Sequence, residues 1–160
     1  TVTSDGDLRW EVDLLGVHPA YRGRGIARRL IAASVEIGRE LGAVTVRALV
    51  RIDNVASATA FQRCGFTPDE MICGLYVSGE IWRVPLRPPP DAHLIAVATL
   101  TYSGVWVEGR LSFEALRCAQ GVRTYYGWES AGAVIPEGSF AAEQVGYELA
   151  GRYRWLRVSL

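Results

Sequence analysis

The sequence contains no lysine, because all 17 of its basic residues are arginine. A chain without lysine cannot form a lysine Schiff base or use a lysine nucleophile. Because 17 acidic residues balance the arginines, no excess of positive charge draws the chain as a whole to nucleic acid or to anionic lipid. We therefore expect no nucleic-acid partner.

Long apolar runs and a cysteine framework are also missing. No run approaches the ~18 apolar residues that a membrane-spanning helix needs, and no charged and then apolar leader opens the chain. The three cysteines are too few and too scattered for a zinc site or a set of disulfides. We expect a cytoplasmic protein with neither a membrane partner nor a metal.

The composition that remains is that of a globular protein. Hydrophobic residues make up 49% of the 160 residues and charged residues 21%, which leaves room for one domain or for two small ones. Three consecutive prolines at 88–90 disfavour helix and strand and indicate a stiff link. We therefore divide the sequence into a first part at 1–86, a proline linker at 87–91 and a second part at 92–160.

The first part alternates strands with helices. The pattern predicts strands at 8–17 and 44–50, a helix at 26–41 and a second helix that Asn54 caps. A hairpin over 71–86 follows. This order predicts an α/β fold with a parallel crossover.

The second part is predicted to be a smaller α+β region. Its glycine-rich and aromatic stretch at 121–139 shows no clear period. The expected elements are strands at 93–102 and 105–110, a short helix at 112–119, and a hairpin of 145–149 with 153–158 across Gly151.

The most informative segment is the loop between the first strand and the first helix. Gly23 and Gly25 precede the helix, where the lack of a Cβ lets the backbone approach a ligand closely. The unpaired N–H groups and the dipole of a helix N-terminus attract an anion. The segment is a candidate diphosphate site, and a plain strand-to-helix turn with solvated arginines is the alternative. The nearby arginines are Arg22, Arg24, Arg28 and Arg29.

Two blocks of the first part form a recognisable pattern. Their residues are Gly16-Val17-His18-Pro19 and Arg22-x-x-Gly25-x-Ala27 in the first block, and Asn54, Phe61 and Gly65-Phe66 in the second. The first block resembles the coenzyme A signature of the GNAT superfamily of acyl-coenzyme A N-acyltransferases, and the two blocks stand in that family's order. The resemblance covers roughly residues 7–86 and implies a GNAT-like mixed sheet with helices on both faces.

The resemblance implies that acetyl-coenzyme A binds as a co-substrate. Backbone groups of Leu15 and Val17 would bind the pantetheine arm and polarise the thioester carbonyl, an oxyanion-type role. Asn54 would contact the same arm, or it would only cap its helix. The backbone N–H groups that would hold the diphosphate are those of Arg22, Gly23, Arg24, Gly25, Ile26 and Ala27.

The implied reaction is transfer of the acetyl group to a primary amine of a small molecule or a peptide. Such a transfer needs a base for the ammonium proton and an acid for the leaving thiolate. Glu11 and Asp13, on the strand that leads to the site, are the candidate catalytic residues, and solvated strand residues are the alternative. Phe61 stands where the family commonly has a tyrosine as general acid, and phenylalanine cannot donate a proton.

Two departures from the family keep other interpretations open. The first is Phe61, and the second is that only seven residues precede the first predicted strand, where the family usually has a strand, two helices and two further strands. The alternatives are a degenerate coenzyme A-binding module that regulates or scaffolds, and one half of a larger acyltransferase assembly. Residues 92–160 would then complete the fold or mediate a homodimer.

Overall fold

The computed structural model describes residues 7–80, 87–98 and 102–160. The chain divides into two compact units, the first made of Thr1–Ile72 with Tyr153–Leu160 and the second of Cys73–Arg152. These limits fall inside two strands rather than at the proline segment 87–91, and the division into functional domains stays a prediction. In chain order the elements are β1 (Arg9–Glu11), α1 (Ile26–Glu40), β2 (Thr45–Arg51), α2 (Val55–Gln62), β3 (Thr67–Ser78), β4 (Ala92–Ala98), β5 (Ser103–Gly109), α3 (Phe113–Tyr126), β6 (Ser130–Pro136) and β7 (Glu148–Ser159).

The first unit has strands of mixed direction. Strand β1 is parallel to β2, and β2 is antiparallel to β7, with Thr45 opposite Ser159 and Arg51 opposite Tyr153. Strand β7 therefore pairs with every residue of β2. Helix α1 connects the parallel strands β1 and β2, which confirms the predicted parallel crossover.

The apolar core of the first unit lies on one face of these strands. Both helices of the unit contribute to it, so within this unit they lie on one face of the strands. The reason is the alternation along β2, where Arg47 and Arg51 point away from the buried residues. The buried core residues are Ile31, Val46, Ala48, Val50, Phe61, Phe66 and Leu156.

A close contact fixes α1 against β1. The indole Nε1 of Trp10 donates a hydrogen bond to the Ser34 hydroxyl at 2.9 Å. A Cβ on the buried Gly38 would lie only 3.0 Å from Trp10 side-chain atoms. The glycine is therefore needed for the tryptophan to lie flat against the helix.

Most of the predicted elements of the first unit are confirmed, but the first strand is much shorter than 8–17. The Val12 N–H donates to the Arg47 carbonyl at 2.9 Å, and the chain then leaves β2. Leu14 is 58% exposed, because within the described residues the segment after Val12 pairs with no strand. The pattern of apolar residues continues beyond the last backbone pairing and does not show where the pairing stops.

The second unit is a further mixed set of strands in the order β3-β6-β5-β4. Strand β6 is antiparallel to β3 and parallel to β5, and β5 is antiparallel to β4. Helix α3 packs on β5 and β6 through its buried residues. No helix in the described ranges is long and apolar enough to cross a membrane.

Three predictions for the second part of the chain need correction. Helix α3 extends to Tyr126, beyond the predicted 112–119, and β6 lies in the stretch 121–139 that showed no period. Strand β6 is mostly buried and consists largely of small residues, so it lacks the alternation that marks a strand. The predicted hairpin across Gly151 is wrong, since β7 is continuous. In the predicted hairpin at 71–86, the second strand lies outside the described residues.

Candidate functional site

The site begins where the chain leaves β1. After the Val12 bond to β2, the backbone from Asp13 to Val17 lies outside the parallel ladder. The Leu15 side chain packs on the core of the first unit. The Val17 carbonyl accepts a hydrogen bond from the Arg22 Nε at 3.2 Å. This bond ties the end of the departing segment to the loop that follows.

A short turn connects this segment to the glycine loop. The Nδ1 atom of His18 accepts a hydrogen bond from the Ala20 N–H at 3.3 Å and so caps a single 3-10 turn at Pro19–Tyr21. The Arg24 guanidinium lies 5.4 Å from the centre of the Tyr21 ring, a cation–π contact. The sequence analysis above does not mark Tyr21. Its spacing of three residues from Arg24 in a turn is the pattern that could have predicted this contact.

Helix α1 begins without a side-chain cap. Gly25 is the N-cap residue with φ +72°, and it has no side chain to accept from the first-turn N–H groups. Gly23 also has positive φ, at +77°, a conformation that favours glycine. A Cβ at either glycine would meet nothing within 4 Å, so open space lies beside the loop. The N–H groups that follow therefore have no intrahelical acceptor.

The charges around this helix end are all positive. The first turn of α1 contains no acidic residue. In the part of the chain that the structure describes, none of the four arginines here is within ion-pair distance of a carboxylate, unlike Arg39 further along α1, which pairs with Glu36. An anion at this point would meet the helix dipole and unneutralised guanidinium groups together. The four arginines are Arg22, Arg24, Arg28 and Arg29, all exposed.

The second block of the signature forms the start of α2. The Asn54 Oδ1 accepts a hydrogen bond from the Ser57 N–H at 3.1 Å, which is an N-cap. This bond leaves the Asn54 amide nitrogen for another partner. Just before it, Arg51 donates two hydrogen bonds to Asp53 at 2.9 and 3.1 Å, and these lower the pKa of the Asp53 carboxyl.

Phe61 in α2 and Cys64 just after the helix both face the core of the first unit. Phe61 is 3% exposed and packs edge-to-face on Phe66, with ring centres 5.0 Å apart. The Cys64 thiol donates to the Arg28 carbonyl at 3.7 Å. Burial raises the pKa of Cys64 and outweighs the opposing effect of Arg28, so the thiol is protonated at neutral pH. Neither side chain is placed as an exposed acid.

The two candidate catalytic carboxylates, Glu11 and Asp13, have different surroundings in the structure. Glu11 pairs with Arg47 and lies 3.6 Å from the Arg9 guanidinium. Arg47 in turn lies over the Trp155 ring, 3.9 Å from its centre, so Glu11 belongs to a network on the sheet. Asp13 is exposed beyond the end of β1, and within the described residues it has no ion pair. Sequence analysis treated the two residues alike.

This region of the chain is similar to known acetyltransferases. Residues 2–66 match the sequence model of the Acetyltransferase (GNAT) family. N-alpha-acetyltransferase 30 of Schizosaccharomyces pombe is 31% identical over 82 residues, 51% of this chain and 55% of that protein. N-alpha-acetyltransferase RimI of Mycobacterium tuberculosis is 44% identical over 59 residues, 37% and 35% of the two chains. Mycothiol acetyltransferase of Mycobacterium avium is 42% identical over 64 residues, 36% and 20%.

Solved structures agree in fold. A GCN5-related N-acetyltransferase from Sphaerobacter thermophilus superposes with a TM-score of 0.53 at 13% identity, over 93% of this chain and 73% of that one. A tandem GNAT protein from the clavulanic acid biosynthesis pathway gives 0.52 at 13%, over 96% and 76%. The chain spans about half or less of the length of the three relatives above. The predicted mixed α/β fold of the GNAT type is confirmed, and the resemblance of the first part of the chain to the GNAT superfamily is confirmed by the match of residues 2–66 to that family's sequence model.

Proposed function

We propose that this chain transfers an acetyl group from acetyl-coenzyme A to a primary amine. The observation that carries the proposal is the start of α1, where two left-handed glycines, an absent side-chain cap and arginines without an ion pair to any described carboxylate leave space and positive charge for an anion. The match of residues 2–66 to the GNAT family model makes acetyl-coenzyme A the anion to test first. Its diphosphate would meet the backbone N–H groups from Arg22 to Ala27, with Arg28 and Arg29 beside them.

The acyl end of the co-substrate would lie along the segment that leaves β1. Backbone groups of Leu15 and Val17, outside the parallel ladder, would hold the pantetheine arm and the thioester oxygen. The amine nitrogen attacks the thioester carbonyl carbon, the C–S bond then breaks, and the thiolate leaves with a proton. Electrostatic stabilisation of the developing oxyanion is often the largest contribution in such a transfer.

Asp13 is the base that we propose for the ammonium proton. It is exposed and lies on the same departing segment as Leu15 and Val17. Glu11 is less suited, because Arg47 and Arg9 already surround its carboxylate. Solvent would supply the proton for the leaving thiolate, since Phe61 cannot.

The acceptor belongs to the same proposal. Two of the relatives are named N-alpha-acetyltransferases and one is named a mycothiol acetyltransferase. The names therefore point to more than one kind of acceptor among the relatives. We propose a peptide α-amine or a small-molecule amine as acceptor. The cytoplasmic location and the homodimer stay predictions.

A second function is favoured by the burial of Phe61. If a protein-supplied acid is required, the chain would bind acetyl-coenzyme A without turning it over and would act as a regulatory or scaffold module, or as part of a larger assembly. Release of free thiol from acetyl-coenzyme A, followed with a chromogenic thiol reagent and a panel of amines, distinguishes the enzyme from the module.

The site itself is tested by Gly25→Asp beside the isosteric control Gly25→Asn. Both residues tolerate the left-handed conformation better than most and both can cap α1, so their effects on unfolding should be similar. Only aspartate adds negative charge where the diphosphate would lie. Calorimetry should show acetyl-coenzyme A binding weakened far more by aspartate than by asparagine. Equal affinity of the parent and both variants for acetyl-coenzyme A would show that the diphosphate does not bind at this helix end.

A further inference from the structure

The second unit contains a cavity of about 320 Å³ that the proposed function does not use. Every residue that lines it belongs to the range 73–152. Its volume falls at the lower end of the range for small-molecule sites. The walls combine aromatic and aliphatic side chains with one ion pair, so the cavity has the mixed lining typical of a ligand site.

The apolar walls depend on a glycine in β3. A Cβ on Gly74 would lie 2.5 Å from Cε2 of Tyr76 and 2.9 Å from Cδ1 of Leu149. Because glycine has no side chain, the tyrosine ring and the leucine can both lie over the strand at this point. Phe140 adds a second ring to the lining. The cavity therefore presents two aromatic rings and an aliphatic side chain to whatever enters it.

The charges at the cavity do not balance. Arg152 and Glu137 both line it and form an ion pair at 2.9 Å, so each largely neutralises the other. Glu143, an exposed residue outside the lining, lies close enough to Tyr76 to raise the pKa of its phenol, and within the described residues no cation pairs with it. One carboxylate that no described cation compensates thus lies near the Tyr76 ring. Burial first, and then Glu143 and Glu137, raise the pKa of Tyr76, so the phenol is neutral at physiological pH.

We propose that this cavity binds a small organic ammonium ion that carries an apolar or aromatic group. The faces of aromatic rings attract cations, and the uncompensated carboxylate adds to that attraction. The apolar part of the ligand would lie against Leu149 and the rings. An anion is disfavoured, because the arginine of the lining is already engaged by Glu137. The proposal depends on the second unit alone and holds whether or not the first unit proves to bind acetyl-coenzyme A.

Three probes of similar size and different charge test the inference on the intact chain. We expect phenethylammonium to bind in calorimetry, neutral 2-phenylethanol to bind more weakly, and phenylacetate not to bind. In amide NMR spectra the ammonium probe should shift the signals of Gly74 and Gly138, which line the cavity. Binding of phenylacetate as tight as that of phenethylammonium, or no binding of any probe, would overturn the proposal.

Two substitutions that change the charge of the cavity lining in opposite directions add a second test. Arg152→Gln leaves Glu137 uncompensated and should tighten phenethylammonium binding about two- to fivefold, the range for an exposed charge pair. Glu137→Gln should weaken it by a similar factor. Both side chains are largely exposed, at 61% and 44%, so the variants should fold. Glu148→Gln, an exposed carboxylate outside the lining, is the matched control. If Arg152→Gln weakened binding, or neither variant altered it, the ligand would not be a cation in this cavity.

Discussion

Asn54 has two expected roles that a single substitution can separate. Its Oδ1 caps α2 through Ser57, whereas contact with the pantetheine arm would use its amide nitrogen. Asn54→Asp keeps the capping oxygen and removes the N–H donor, while Asn54→Ala removes both. We expect Asp to preserve the free energy of unfolding and to weaken acetyl-coenzyme A binding, and Ala to cost about 0.5–2 kcal/mol of stability as well. Unfolding and binding curves for both variants check this, and full affinity in the Asp variant would leave capping as the only role.

The two carboxylates near the site should also differ when they are replaced. Asp13→Asn should lower turnover by about 10²–10⁴-fold, the usual contribution of a general base, without changing the affinity for acetyl-coenzyme A. Glu11→Gln breaks contacts with Arg47 and Arg9 and should cost below about 1 kcal/mol of stability with little effect on turnover. Turnover across a pH range, with parallel unfolding curves, measures both effects. A larger loss of turnover for Glu11→Gln than for Asp13→Asn would reverse the assignment.

At the scale of elements, the contact between α1 and β1 predicts an unusual response to Gly38→Ala. Replacing glycine by alanine inside a helix usually stabilises it by about 0.5–1 kcal/mol. Here the added Cβ would lie 3.0 Å from Trp10, so we expect a net loss of stability, as for overpacking. Chemical denaturation measures it. In a Trp10→Leu background, which removes the obstacle, the same substitution should become neutral or stabilising, and a loss of equal size there would contradict the explanation.

The start of α1 shows how element and site depend on each other. The Trp10–Ser34 hydrogen bond holds α1 against β1. Gly25 is the last residue of the loop that joins β1 to α1. The end of the helix that we propose to bind the diphosphate is therefore oriented by packing two to three turns away. A substitution such as Gly38→Ala can thus change acetyl-coenzyme A binding without touching the loop.

At the scale of the whole molecule, the last strand, β7, supplies a pairing partner for β2 in the first unit. Strand β7 pairs with all seven residues of β2, from Thr45 to Arg51. A fragment of residues 1–86 lacks that strand and exposes an edge with apolar residues, which favours aggregation. We expect this fragment to precipitate on expression. Sedimentation of the fragment and of the full chain, with Arg157→Gln as a control that removes only the β7 ion pair with Asp69, measures the effect. A monomeric fragment that binds acetyl-coenzyme A would show that β7 is dispensable.

Local sequence determined the parts of this protein that depend on neighbouring residues. The helical spacing from Ile26, the cap at Asn54 and the glycines at 23 and 25 act over a few positions, and the structure has each of them where the sequence predicts it. The same local pattern was sufficient for the family resemblance, because the coenzyme A signature is one continuous loop and helix start.

Tertiary structure alone decided what depends on distant partners. β6 is hidden from sequence analysis because its burial and small residues remove the alternation. β7 runs without a break through Gly151, where the sequence predicted a turn, and its residues 153–159 pair with β2, a hundred residues earlier in the chain. Arg123, which the sequence pattern did not mark, is 7% exposed and donates to backbone carbonyls such as those of Trp128 and Glu129. Which arginine is buried, and which carboxylate is already paired, depends on contacts between residues far apart in the chain, and the spacing of residue types does not encode those contacts.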